Sequence, residues 1–320
     1  MAVYTEVSDE ALDAFLSDYD IGEVLSYKGI AEGVENTNYL LHTTKDYFFL
    51  TLYEKRVKES DLPFFLGLLD HLASKEFPCP TPIHATDGTV IRRLSARPAA
   101  IVSFLDGVWL RKPQPKHCRA LGEGLAQMHL AGAGYDKTRA NALGLDDWSE
   151  VLESCGANAN QVKDGLIDDL RTEHADLKKR WPSGLPTGVI HADLFPDNVF
   201  FIRDQLSGFI DFYFACVDYY AYDLAICLNA WCFENDAQFN ITKARALMRG
   251  YNSVRKMNSE EVEALPLLAR GAALRFLLTR LVDWLSPIEG ALVKPKDPLE
   301  YYQKLRFHRQ VTGPQDYGLN

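Results

Sequence analysis

Asp193, Asn198 and Asp211 are polar, oxygen-bearing residues set close together among apolar neighbours. The first two lie in "GVIHADLFPDNVFF" (188–201), a short polar loop between the apolar runs Val189-Ile190 and Val199-Phe200-Phe201. The third lies in "GFIDFYFA", between Ile210 and Phe212. An aspartate among apolar neighbours is costly unless it is paired or binds a cation. Two strands joined by a tight loop can hold such groups at fixed separations, and three oxygen-bearing side chains then converge at neighbouring strand ends. Phosphoryl transfer needs that set: one carboxylate to accept a hydroxyl proton, and oxygen ligands for a phosphate-bound magnesium. Asp193 is the candidate base. Asn198 and Asp211 are the candidate magnesium ligands, and the asparagine adds no charge. His191 is read as a brace for the loop. The spacing H-x-D-x-x-x-x-N matches that of the protein-kinase catalytic loop H-R-D-x-x-x-x-N, and Asp211-Phe212-Tyr213 stands where kinases carry D-F-G. The structural alternative is an Asx-turn loop with no chemistry.

The elements that must position these groups follow from periodicity. In the first hundred residues "YKGIAEGVENTNYLLHT" predicts two strands and a turn, and "DYFFLTLYEK" a further strand. "SDLPFFLGLLDHLASK" predicts one helix, capped by Ser60 or Asp61 with Pro63 in its first turn. "GTVIRRL" and "RPAAIVSFLDG" predict a strand pair. After Gly107 helical patterns dominate, as in "HCRALGEGLAQMHLAG" and "ARGAALRFLLTRLVDWL". In the second, Leu274, Leu277, Leu278, Leu281 and Leu285 form one stripe. Only residues 188–212 look strand-like there, with Gly208 to Phe212 as a strand that carries Asp211 at its end. The expectation is an α+β chain of two lobes. A β-rich nucleotide-binding lobe (1–105) precedes a larger, mainly helical catalytic and substrate-binding lobe (106–320).

Composition narrows the class. The 320 residues are 47% hydrophobic, enough for a sizeable core, yet no apolar run approaches a membrane span. The acidic N-terminus lacks the form of a signal peptide, so a cytoplasmic protein is expected. A net charge of −10 with no basic block argues against a nucleic-acid partner and suits a divalent cation. The six cysteines form no C-x-x-C and the histidines no H-E-x-x-H, which argues against zinc and for packed, reduced thiols. The absence of G-x-x-x-x-G-K-[ST] excludes a Walker-type P-loop. Oligomeric state is not legible.

"VIHADLFPDNVFF" with "GFIDFYFA", the downstream "YDLA" with Asp223, and the helix "LGEGLAQMHLAG" resemble the aminoglycoside phosphotransferase and choline kinase superfamily, across most of the chain. That resemblance implies a two-lobed protein-kinase-like fold and ATP with magnesium as cofactors. Five stretches, "GIAEGVENTNYLL", "FFLTLYEK", "DLPFFLGLLDHLA", "PCPTPI" and "HADLFPDNVFF", resemble the bacterial homoserine kinases within it. This narrower likeness implies phosphorylation of L-homoserine to O-phospho-L-homoserine, on the threonine pathway.

The resemblance also implies where nucleotide would bind. Gly29 and Gly33 would sit in the phosphate-covering loop, Phe49 over the adenine, and Ser103 to Leu105 would offer backbone groups to its edge. Thr51 falls where kinases usually place a lysine, with Lys28 and Lys55 as nearby substitutes and no secure role for Glu59. A homoserine carboxylate would call for an arginine fork, and Arg275 and Arg280 are the candidates. Trp231 and Asp218 are further pocket candidates. The alternatives are a kinase for choline, an aminoglycoside or a sugar, an inactive nucleotide-binding module, and a metal-dependent phosphoesterase.

Overall fold

The structure, a computed structural model, describes residues 5–30, 36–54, 57–234, 238–287 and 295–319. It contains two compact units that divide between Asp106 and Gly107.

The first unit is built on an antiparallel sheet. Helix α1 (Asp9–Leu16) comes first, with Ser8 Oγ accepting the Ala11 N–H at its start and Asp9 and Glu10 in its first turn. Strands β1 (Val24–Ile30), β2 (Thr37–Thr43) and β3 (Tyr47–Leu52) follow, then helix α2 (Leu62–Ser74) and strands β4 (Arg92–Leu94) and β5 (Arg97–Ser103). The strand order is β1-β2-β3-β5-β4. Strand alternation sorts the faces. Leu41, Phe48, Leu50, Leu52 and Ile101 bury against Leu12, Phe15 and Leu16 of α1, while Asn38, Phe49 and Thr51 lie on the other face. The sequence predicted one helix in this region. The structure adds α1, whose eight residues are too few for periodicity to announce. Asp61 stands at the start of α2 but makes no side-chain cap, and Pro63 occupies the first turn as expected.

The second unit begins with helices α3 (Pro115–Ala131), α4 (Trp148–Cys155) and α5 (Leu166–Arg180). Strands β6 (Thr187–Ile190), β7 (Val199–Ile202), β8 (Gln205–Phe209) and β9 (Cys216–Tyr219) come next. Helices α6 (Tyr220–Trp231), α7 (Ile241–Val254), α8 (Ser259–Leu285) and α9 (Pro298–His308) complete it. Helices α3 and α7 cross backbone to backbone: a Cβ on Gly122 would lie 2.1 Å from the Leu247 carbonyl, and one on Gly250 2.1 Å from that of Arg119. Any larger residue at either position pushes the helices apart. The leucine stripe of α8 is a core face, with Leu274, Leu277, Leu278 and Leu281 buried. All six cysteines are buried and free. Among the described residues no helix is long and apolar enough to cross a membrane.

At the C-terminal end of α9, His308 is buried in a polar cluster. Its Nε2 lies 3.1 Å from Asn229 Oδ1 and its Nδ1 2.7 Å from the Tyr317 hydroxyl. The Asn229 amide nitrogen is committed to the Ala225 and Ala269 carbonyls, so its Oδ1 accepts from the His308 Nε2–H. Burial, with the Lys304 ammonium close by, depresses His308 from 6.5 to about 3. Between those values the unfolded chain binds the proton and the folded chain refuses it, so stability rises with pH and is lost as pH falls below the unfolded value. We expect a loss of about 2 kcal/mol from this residue on acidification to about pH 5. Urea unfolding of wild type and His308→Gln over that range checks it: the variant's stability should fall less steeply, and parallel slopes would contradict the assignment.

Candidate active site

Strands β6 and β9 pair antiparallel, with Ile190 opposite Cys216. Strands β7 and β8 form a hairpin with Val199 opposite Phe209. The loop between β6 and β7 carries Asp193 and Asn198, and the link from β8 to β9 carries Asp211. The Ile210 N–H donates to the Asn198 carbonyl at 3.0 Å, which joins the two segments. The strand predicted over 208–212 ends earlier, at Phe209. Asp211 is left-handed (φ 64°) and opens a short 3-10 turn over Phe212–Phe214. Aspartate tolerates that conformation better than the apolar residues around it. The backbone therefore turns at Asp211 instead of continuing the ladder.

The loop is clasped from several sides. Ala192 is left-handed (φ 63°), a strained state for alanine that surrounding bonds must hold. Its N–H donates to Asp223 Oδ1 at 2.9 Å, and the His191 N–H donates to Asp223 Oδ2 at 2.8 Å. Its carbonyl accepts from Arg275 Nη1. Trp231 Nε1 donates to the Leu194 carbonyl at 2.8 Å. Asp223, on α6, is fully buried. Burial alone would raise its pKa, but the hydrogen bond from His129 and those from the His191 and Ala192 N–H groups outweigh it and hold the carboxyl below the usual range. His129, on α3, donates from Nε2 to Asp223 Oδ2 (3.1 Å) and accepts at Nδ1 from the Tyr251 hydroxyl (2.8 Å). Burial keeps that imidazole neutral.

His191 braces the loop from within. The Asp193 N–H reaches His191 Nδ1 at 3.3 Å, so that nitrogen accepts and Nε2 donates to the Ile210 carbonyl at 2.9 Å. Burial lowers its pKa and holds this neutral tautomer.

Asp193 and Asn198 are in contact. Asn198 Nδ2 donates to the Asp193 carbonyl at 2.8 Å and lies 3.3 Å from Asp193 Oδ2. Asn198 Oδ1 has no hydrogen bond among the described residues and is the oxygen a cation would take. Burial pushes the Asp193 carboxyl well above its ordinary pKa; the Arg275 charge opposes this and the Asp211 charge adds to it. Oxygen donors of this kind fit a hard divalent cation that draws its remaining ligands from phosphate and water. Among the described residues no group of three or more His, Cys, Asp or Glu side chains could hold a metal ion, so the candidate set is one amide and one carboxylate.

The two arginine candidates have different surroundings. Arg280 donates to Glu300 Oε2 at 2.6 Å and lies over the Tyr301 ring. Arg275 is buried and has no carboxylate partner among the described residues. Asp218 accepts from Asn141 Nδ2 at 2.8 Å.

In the first unit Phe49 stacks on Phe104, centroids 5.5 Å apart and planes 17° apart. This is a flat, partly exposed apolar platform of the kind an adenine could use. The Ser103 N–H and hydroxyl are both committed to the Thr81 backbone at 2.8 Å, whereas Leu105 has no backbone hydrogen bond among the described residues. Thr51 donates to Asn38 Oδ1 at 2.8 Å across the strands. Gly29 lies on β1 opposite Tyr39, and Lys28 is exposed beside it. Gly33 and Lys55 fall outside the described residues. Glu59 pairs with Arg93 at 2.7 Å on the surface.

The sequence does not single out Tyr251, which donates to His129, or Asn141, which donates to Asp218. Their only signal was hydrogen-bonding capacity in segments far from the motif.

A family model described as "Phosphotransferase enzyme family" matches residues 26–257. The chain belongs to this family. Within the phosphotransferase enzyme family it is 60% identical over 320 residues, the whole of both chains, to a protein named homoserine kinase from Rhizobium johnstonii. It is 61% identical, again over both full lengths, to one so named from Parvibaculum lavamentivorans. Solved structures show the same kinase-like α+β fold. An amicoumacin kinase in complex with AMP-PNP, Ca2+ and Ami aligns with a TM-score of 0.72 at 11% identity, covering 96% of this chain and 95% of that one. A choline kinase from Cryptosporidium parvum aligns with a TM-score of 0.68 at 13% identity, covering 95% of each.

Proposed function

We propose that this chain transfers the γ-phosphoryl group of ATP to the side-chain hydroxyl of L-homoserine, giving O-phospho-L-homoserine. The observation that carries the chemistry is the clasped loop, which holds the Asp193 carboxylate against Asn198 and leaves Asn198 Oδ1 open. Full-length identity of about 60% to proteins named homoserine kinase supports the acceptor.

In this reading Asp193 accepts the homoserine hydroxyl proton as the hydroxyl oxygen bonds to the γ-phosphorus. The bond from that phosphorus to the bridging oxygen breaks, and ADP leaves. Asn198 and Asp211 would hold magnesium, which when bound neutralises charge on the nucleotide phosphates. Asp223, His191 and Arg275 fix the loop so that the base need not reorganise. In the first unit the Gly29–Gly33 backbone would cover the phosphates, and Phe49 and Leu105 would face the adenine.

The acceptor is tested by ADP release with L-homoserine, L-serine, L-threonine, choline and kanamycin. Homoserine should give the highest kcat/KM of the five. Faster turnover of choline or kanamycin would replace this acceptor and leave the kinase reading in place.

A further inference from the structure

Arg275 and Asp218 are opposite charges that lack ionic partners among the described residues. Arg275 is 2% exposed. Among the described residues only one of its guanidinium N–H groups, on Nη1, has an acceptor, the Ala192 carbonyl, and the buried Nε has none. Its faces lie against the Phe276 and Phe214 rings, at 4.3 and 5.7 Å. Aromatic faces attract a cation but take none of its hydrogen bonds. Asp218 accepts from Asn141 and from the Tyr219 N–H, both neutral donors, and no cation among the described residues lies within salt-bridge distance. Burial raises its pKa, with the Arg275 charge acting the other way. Asp218 stands opposite Gly188 on β6, and Arg275 holds the Ala192 carbonyl two residues beyond the end of that strand, so both charges border the loop that carries Asp193.

Two tyrosines add to this unmet capacity. The Tyr222 and Tyr301 hydroxyls are buried with no hydrogen-bond partner among the described residues. The Arg275 charge acts on both, and the Asp193 charge acts on Tyr301. Buried polar groups are nearly always satisfied, and a cluster that is not calls for a partner the chain does not supply. A carboxylate meets the guanidinium fork, and an ammonium meets the aspartate. Arg275 reaches the residue directly before Asp193, so whatever it holds lies near the base.

We infer that Arg275 and Asp218 form a clamp for a zwitterion, Arg275 taking the α-carboxylate and Asp218 the α-ammonium of the acceptor. This rests on the reading of the acceptor as a hydroxylated α-amino acid and names the residues that would select it. Arg280, already engaged by Glu300, has no part in the clamp.

The test compares acceptors that lack one charge. Removing the carboxylate of homoserine leaves a linear aminopropanol, and removing the ammonium leaves γ-hydroxybutyrate. Arg275→Met should lower the preference for homoserine over aminopropanol, as a ratio of kcat/KM values, by about a hundredfold, the scale of a lost charge-assisted hydrogen bond. Asp218→Asn should lower the preference for homoserine over γ-hydroxybutyrate by about tenfold or more. A role confined to holding the Ala192 carbonyl would slow all acceptors alike and leave the ratios unchanged, which would overturn the clamp. Should Arg275→Met fail to fold, Arg275→Lys keeps the charge without the fork, and the same ratio should drop in it. Wild-type protein inert toward homoserine in this assay would overturn the acceptor reading, and the clamp with it. A wild type that is active on homoserine, with unchanged ratios in the variants, overturns the clamp alone.

Discussion

Asp193→Asn lowers kcat for homoserine phosphorylation by about a hundredfold or more, the range expected when a general base is removed, while the KM for ATP stays within about threefold on the scale of one neutral hydrogen bond. The substitution is isosteric, and the contacts that place residue 193 are mainly backbone ones. Asn198 Nδ2 donates to the Asp193 carbonyl and the Asp193 N–H donates to His191, and both bonds survive in the variant. The fold of the loop is thus held constant while the proton acceptor is lost. Thermal melting should show a near-native transition. Turnover close to wild type in that folded protein would remove Asp193 from the chemistry.

Asp211→Ala should nearly abolish turnover at every magnesium concentration, whereas Thr51→Ala should raise the KM for ATP by no more than about tenfold. The reasoning is a comparison of charges. In this reading Asp211 is the only carboxylate of the cation set, and Asn198 contributes an uncharged oxygen. Without Asp211 the cation has one neutral protein ligand, and added magnesium cannot restore the geometry. Thr51 stands where the resemblance places a lysine, but its hydroxyl is spent on Asn38 Oδ1 across the sheet. A neutral hydrogen bond contributes about 0.5–1.5 kcal/mol net, so its loss is small beside that of a metal-binding carboxylate. ADP release over a magnesium titration measures both variants. Equal damage from Thr51→Ala in a folded protein would give Thr51 a role in nucleotide binding. If Lys28→Ala or Lys55→Ala were instead the crippling change, one of those lysines would serve the phosphates.

The contact between Asp193 and Asn198 was legible because its signal is local. Asp193 and Asn198 lie five positions apart in one loop, and apolar runs on both sides mark the strands that carry it. The parts that hold the loop are far away in sequence. Arg275 reaches Ala192 from 83 residues away, and His129 reaches Asp223 from 94. Periodicity could place His129 and Arg275 on helices but not aim them. The same limit left Arg275 and Arg280 unranked. They share a helix, and Glu300, which engages Arg280, lies on a different one. Asp211 shows a second limit. The apolar run around it reads as strand, yet the chain turns there into a left-handed residue and a 3-10 turn. Strand β9 escaped notice because four residues with an aspartate in their midst carry no clean alternation.

A site that moves the γ-phosphoryl group of ATP onto homoserine leaves a phosphomonoester on the acceptor. Phosphorus NMR of wild-type protein with ATP, magnesium and L-homoserine tests it most directly. A phosphomonoester signal on the homoserine side-chain oxygen should grow in step with ADP. Release of inorganic phosphate at the same rate with or without homoserine, and no such ester, would contradict it.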